Sequence, residues 1–338
     1  MGENEKLNQS GIWGANRQSW LDSPYVDEAT KQGIREMTDP AELDEAFGQD
    51  LAFGTGGMRG VMGPGSNRMN PYTVRRAILG VVNWLKKAGP EAMAKGAAIA
   101  YDTRHHSEEF ARHAAVTLAE GGVTVYLTDR PTPTPVLSWV IRQNGCSTGV
   151  VLTASHNTKE FNGMKIYNDQ GCQLPPQEAL PLMEEIEKRP LFSPLPKADF
   201  DSLVAEGRIR LLGEDLRRMY VGTVLKFSLL DDKEAKGGLS VVYTPLNGAG
   251  NLYVREVGGY FIHVSVHLLL PEPAPAAEQR DEPVGPVGCQ RVGRAWGGFV
   301  WFALVCKPHD EVAVYHARRK SPDQRQRQCE AGVAFESR

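Results

Sequence analysis

Short apolar runs alternate with amphipathic stretches between residues 72 and 153, and this alternation constrains the possible folds more than any other feature of the chain. Apolar residues Val74, Ala77, Ile78, Val81, Val82 and Leu85 recur at helical spacing and predict a helix over 72–88. A short apolar strand follows at 97–100 and ends in Tyr101-Asp102-Thr103-Arg104. Next come a predicted helix over 107–120, a strand over 124–127, a loop over 130–135, a helix containing 139–142 and a buried strand over 149–153. The βαβαβ order demands crossover connections, so the strands pair in parallel with helices on both faces. The expected fold is therefore α/β: a three-layer α/β/α domain with a mixed, mostly parallel sheet. Ligands of such sheets sit beyond the carboxyl ends of the strands.

The flanking segments read differently. Residues 1–47 form a helical extension, with Ile12, Trp13 and Trp20 before a Ser23-Pro24 break and a further helix after Asp39-Pro40. The α/β/α domain is expected over 48–190. Prolines and polar residues over 190–213 suggest a linker with a small hairpin, followed by a helix over 214–229 and a strand over 239–243. That strand leads into Thr244-Pro245-Leu246-Asn247-Gly248-Ala249-Gly250 and a helix opening at Asn251, so 191–257 reads as linker plus the start of a second, similar domain. Beyond Val257 no strand–helix alternation continues. Residues 258–338 read as an irregular, disordered tail rich in Pro, Gly and Arg stretches.

Composition excludes several function classes. Lys and Arg total 38 against 41 Asp and Glu, a net charge of −3, so no global basicity points to nucleic acid. Five cysteines, odd in number and without a CxxC pair, suggest neither a disulfide framework nor a zinc site. The polar start MGENEKLNQS does not resemble a signal peptide, and no run of about 18 apolar residues could span a bilayer. A cytoplasmic protein with no membrane partner is the expectation.

The segment Thr153-Ala154-Ser155-His156-Asn157-Thr158-Lys159-Glu160-Phe161-Asn162-Gly163-Met164-Lys165 carries the chemistry. It follows a buried strand, which puts Ser155 at the strand's carboxyl end, exposed in a cleft. A serine there can be covalently phosphorylated where neighbouring groups stabilise negative charge. His156 and Asn157 can orient the turn, Gly163 permits close backbone approach, and Lys165 returns a cation to the same loop. There is no GxSxG elbow, which argues against an α/β-hydrolase serine. The glycine loop over 54–60 lacks the Lys-Ser/Thr pair of a nucleotide-binding P-loop.

These residues resemble the phosphoserine loop of the α-D-phosphohexomutases, the phosphoglucomutase/phosphomannomutase family. Phe53-Gly54-Thr55-Gly56-Gly57-Met58-Arg59-Gly60 is similar to the family's FGT-x-G-(L/M)-R-G loop. Tyr101-Asp102-Thr103-Arg104 resembles its D-x-R element, Pro131-Thr132-Pro133-Thr134-Pro135 its T-P-x-P-like stretch, and Thr244 to Asn251 the opening of its second domain. The tryptophan-bearing extension is similar to the phosphoglucomutase-2-like branch. The resemblance implies a phosphoserine at Ser155, which would pass its phosphate to a hexose phosphate, most plainly glucose, through a bisphosphate intermediate. It implies Arg59 and Lys165 flanking the phosphoryl group, with Lys165 as acid/base, and Thr55, Arg59, His156 and Lys165 on the substrate side. It also implies Mg²⁺, ligated by Ser155 through its phosphate, and glucose 1,6-bisphosphate as activator. The chain departs from the family at Thr158, where proline is usual, and at Asn247, where histidine is common. The D-x-D-x-D-R metal loop is missing, and neither Asp281-Glu282 nor Asp310-Glu311 has its spacing. The match stops near Val257, so the chain reads as a C-terminally incomplete mutase, or as a fragment that binds phosphosugar without turnover.

Overall fold

The computed structural model describes residues 11–54, 56–194, 196, 198–228, 240–243, 245, 247–261 and 299–301. The chain divides into two compact units, 1–226 with 247–253, and 227–246 with 254–338. The first begins with helices α1 (Gly11–Asp22), α2 (Glu28–Glu36) and α3 (Pro40–Phe47). Asp27 and Asp39 cap α2 and α3 by accepting the amides of Thr30 and Ala41. These helices close over their own apolar cluster, in which Trp20 meets Phe47, Tyr72 and Phe192 edge-on at 5.1–6.2 Å.

Strand β1 (Met58–Val61) precedes α4 (Pro71–Ala88), which Asn70 and Thr73 open with a reciprocal capping box. After the short α5 (Pro90–Lys95) come β2 (Ala97–Tyr101), α6 (Ser107–Glu120), β3 (Val125–Thr128), α7 (Thr134–Asn144) and β4 (Thr148–Leu152). The chain continues through β5 (Phe161–Tyr167), α8 (Pro176–Glu187), α9 (Phe200–Ala205), β6 (Ile209–Leu212) and α10 (Glu214–Leu225). The six strands lie in the order β1-β5-β4-β2-β3-β6. Pairs β4–β2, β2–β3 and β3–β6 are parallel, whereas β4–β5 and β5–β1 are antiparallel. Apolar residues of α4, α6 and α8 share one core with Ile99, Val150, Leu152, Met164 and Ile166. On the opposite face α7 packs so closely that a Cβ on Gly149 would meet Ile141 Cδ1 at 2.3 Å. The architecture is thus the expected three layers with a mixed sheet.

Two elements differ from the sequence reading. Residues 161–165, treated there as part of the serine loop, lie in strand β5, because the turn over 154–160 reverses the chain and an antiparallel return needs no crossover. Residues 209–212, read as part of a linker ending the domain at 190, are the sheet's sixth strand. Ile209 is only 1% exposed and Leu203 fully buried, so burial draws this segment onto β3 despite its proline-rich approach. In the second unit, β7 (Ser240–Val242) pairs in parallel with β8 (Phe299–Trp301). Helix α11 (Asn251–Phe261) opens where expected. Apart from 258–261 and 299–301, the segment expected to be an irregular tail lies outside the described residues, including Asp281-Glu282 and Asp310-Glu311.

Candidate active site

Three strand ends build the site. Asp102 N donates to Leu152 O at 3.1 Å, which aligns the carboxyl ends of β2 and β4. Immediately beyond β4, Thr153 Oγ1 accepts the amide of Ser155 at 2.9 Å and turns the chain outward. Ser155 is exposed and has φ +59°, a left-handed conformation that costs a residue with a Cβ about 1–2 kcal/mol. Its Oγ lies 3.3 Å from Nδ1 of the adjacent His156, itself exposed. The hydroxyl predicted to be reactive is therefore at the sheet's rim, beside an imidazole.

Strand register brings the cations to it. Arg59 pairs with Gly163 across β1–β5, and Thr153 N donates to Gly163 O at 2.9 Å. Arg59, Gly163 and Thr153 thus form one row across the sheet. Lys165, opposite Val151, stands one row further along on the same face, because strand residues alternate faces and Met58, Met164 and Leu152 fill the core on the other. Gly163 is required by close approach: a Cβ there would meet Met58 O at 2.7 Å and Thr153 O at 2.8 Å. Gly57, at φ +100°, packs against the β5 backbone: a Cβ there would meet Met164 O at 2.1 Å and Lys165 Cα at 3.0 Å. Lys165 is half-buried on a strand rather than on the loop, and has no hydrogen bond or ion pair among the described residues. Thr55, expected on the substrate side, lies outside the described residues.

Arg59 reaches over the serine loop and its Nη1 donates to Asn157 Oδ1 at 2.6 Å. The partner is a neutral amide, so among the described residues the guanidinium has no carboxylate to compensate its charge. A hydrogen bond with the Thr158 side chain holds the Glu160 carboxyl below its ordinary range.

Beneath the loop lies a group that sequence patterns left without a role. Arg104 Nη2 donates to Ser155 O at 2.9 Å and Asn157 O at 2.5 Å, and Nη1 to Thr158 O at 2.8 Å and Phe161 O at 3.0 Å. Nε pairs with Asp102 Oδ2 at 3.4 Å. Asp102 Oδ1 also accepts from Arg104 N and from Ser107 Oγ. Asn162 Nδ2 donates in turn to Ser107 Oγ and His105 O, both at 3.0 Å, and its Oδ1 accepts Gly163 N. Ser107 and Asn162 are fully buried. The available signal was positional: Arg104 follows β2 at the same rim as Ser155 follows β4.

The described residues do not fit a divalent metal. Ser155 is the sole ligand the sequence assigns to Mg²⁺, and among the described residues no three His, Cys, Asp or Glu side chains could hold a metal ion. A hard cation wants about six oxygen ligands. Nor is any helix, among the described residues, long and apolar enough to cross a membrane.

Residues 50–191 match the family model described as phosphoglucomutase/phosphomannomutase, alpha/beta/alpha domain I. A phosphoglucomutase of Staphylococcus saprophyticus is 32% identical over 239 residues, covering 70% of this chain and 42% of that protein. A phosphopentomutase of Pongo abelii is 31% identical over 288 residues, covering 83% of this chain and 45% of that protein. A crystal structure assigned as a phosphomannomutase from Thermus thermophilus superposes with a TM-score of 0.51 at 28% identity, over 64% of this chain and 45% of that one. The chain spans less than half the length of these relatives.

Proposed function

The chain belongs to the α-D-phosphohexomutase family, whose domain I it carries over residues 50–191, and from that premise we propose that it exchanges a phosphoryl group between Ser155 and a hexose phosphate, glucose foremost. In the forward half-reaction the bond between phosphorus and the serine oxygen breaks and one to a sugar hydroxyl forms, giving a bisphosphate. That hydroxyl's proton passes to a base, a role suited to Lys165 on the neighbouring strand. After reorientation the other phosphate returns to Ser155, and hexose 1-phosphate has become hexose 6-phosphate.

One observation supports this reading above the others: an exposed serine hydroxyl at the strand rim, with Arg59 held over the same loop by a neutral partner. Phosphoryl transfer is achieved mainly by positioning and by cations facing the equatorial oxygens. Arg59 offers a planar fork for two of those oxygens, and His156 can hold the serine or sugar hydroxyl. A carboxylate partner for Arg59 would cancel its charge, and none is present among the described residues.

The test is incubation of the whole chain with glucose 1,6-bisphosphate. The expected result is a mass gain of one phosphoryl group, located on Ser155 by fragmentation and absent from Ser155→Ala. No phosphoserine in the unsubstituted chain overturns the proposal. The same incubation, continued with glucose 1-phosphate and ribose 1-phosphate, reads sugar choice, since the relatives include both phosphoglucomutases and phosphopentomutases. A second reading, phosphosugar binding without turnover, is favoured by a specific contrast. The described residues supply cations and a nucleophile but not a carboxylate cluster for metal. Phosphoserine formation with no isomerised product would support that reading.

A further inference from the structure

Arg104 meets the serine loop with four of its five donors. A guanidinium carries five N–H groups, and here four point at carbonyl oxygens of residues 155, 157, 158 and 161 while the fifth faces Asp102. The turn over 154–160 has few backbone partners of its own, and half-buried carbonyls need donors. We infer that Arg104 is a positioning residue for Ser155: it fixes the loop from below, through the backbone, and sets the direction in which the serine hydroxyl leaves the sheet.

The surrounding network supports this role. Asp102 orients the fork through Nε and anchors its own loop through Arg104 N and Ser107. Ser107 is held by Asn162, whose carbonyl oxygen takes the amide of Gly163 on β5. Both flanks of the serine loop are thereby tied to one buried set of side chains. Lysine could supply the charge but not the geometry, because three tetrahedral donors cannot span four carbonyls spread over seven residues. Among the described residues, the hydrogen bonds and ion pair of the Arg104 guanidinium are all with Asp102 and loop carbonyls, and none is with the Ser155 hydroxyl.

The catalytic consequence rests on the phosphotransfer reading, whereas the loop-holding part does not, and the experiment separates them. Arg104→Lys and Arg104→Met are compared with the unsubstituted chain in two measurements. The first is the rate of tryptic cleavage after Lys159, an exposed residue within the held loop. Both variants are expected to be cut there at least about tenfold faster, because cleavage follows local opening. The second is phosphorylation of Ser155 by glucose 1,6-bisphosphate. The maximal rate should fall about 100-fold with the half-saturating concentration unchanged, as for a misplaced nucleophile. Wild-type behaviour of Arg104→Lys in both measurements would mean that charge alone suffices and overturn the inference. So would a raised half-saturating concentration at unchanged maximal rate, which marks a substrate ligand. If the unsubstituted chain takes no phosphoryl group yet cleavage at Lys159 still separates the variants, the phosphotransfer reading fails and the loop-holding role stands. Should Arg104→Met fail to fold, Arg104→Lys carries both measurements.

Discussion

Ser155 is held at φ +59° although a Cβ disfavours that conformation, and the carbonyl bond from Arg104 helps to retain it. The strain makes a stability prediction distinct from the catalytic one. Relief of left-handed backbone is worth about 1–2 kcal/mol, and the added freedom of glycine in the unfolded chain costs about 0.4–1 kcal/mol. Ser155→Gly should therefore be more stable than Ser155→Ala by roughly 0.5–1 kcal/mol, although both lose the hydroxyl. Urea unfolding of the two variants checks it, and equal midpoints would mean the loop relaxes in the alanine form. The serine's exposure at a strand end was legible, since a polar run directly follows the apolar run ending at Leu152. Its backbone sign was not, because that depends on carbonyl contacts with a residue 51 positions earlier. The same holds for Arg104 itself. Sequence spacing reveals a D-x-R at a strand end but not which carbonyls the guanidinium will meet.

Elements were legible where one periodicity ran unbroken, as in α4, where Val74, Ala77, Ile78, Val81, Val82 and Leu85 are all buried at the predicted spacing. β5 was hidden because Asn162, Gly163 and Lys165 interrupt its apolar pattern, each for a reason only the fold supplies: a buried bridge, a close approach and a position on the same sheet face as Arg59. The packing of α8 on α4 is secured by a carboxylate that neither pattern foretold. Glu185, buried on α8, takes both Lys87 Nζ from α4 and Lys188 Nζ on the same oxygen at 2.7 Å. The hydrogen bonds from Lys188 and Lys87 hold its carboxyl down to about 2, against an ordinary 4.5. A carboxylate depressed on folding contributes stability above its unfolded value and loses it as pH falls through the folded one. The chain should thus lose stability more steeply than Glu185→Gln between about pH 4.5 and about pH 2. Urea midpoints measured down that range test this, and parallel curves would show the double ion pair to be inert.

At the scale of the whole molecule, the sequence placed the end of the α/β/α domain near residue 190, close to where the family match ends at 191. The sheet does not end there. β6 supplies the outer neighbour of β3, pairing Ile209 with Val125 through Leu212 with Thr128. Leu203 and Ile209 enter the main core, and Phe192 closes the aromatic cluster around Trp20 and Tyr72. The run was hard to see because prolines at 190, 194 and 196 break its approach and the strand is only four residues long. A boundary at 190 would strip β3 of its outer partner and leave an unpaired edge beside an opened core, a site for chain-to-chain pairing. Losing buried residues of this size costs about 2–5 kcal/mol each, comparable to much of a domain's total stability of about 5–15 kcal/mol. A fragment of residues 11–226 should therefore be a monomer with a cooperative urea transition. One of residues 11–190 should elute as aggregate in size-exclusion chromatography or unfold without a cooperative transition. A well-behaved 11–190 fragment would mean that β6 is an ornament on a sheet complete without it, and would restore the shorter domain.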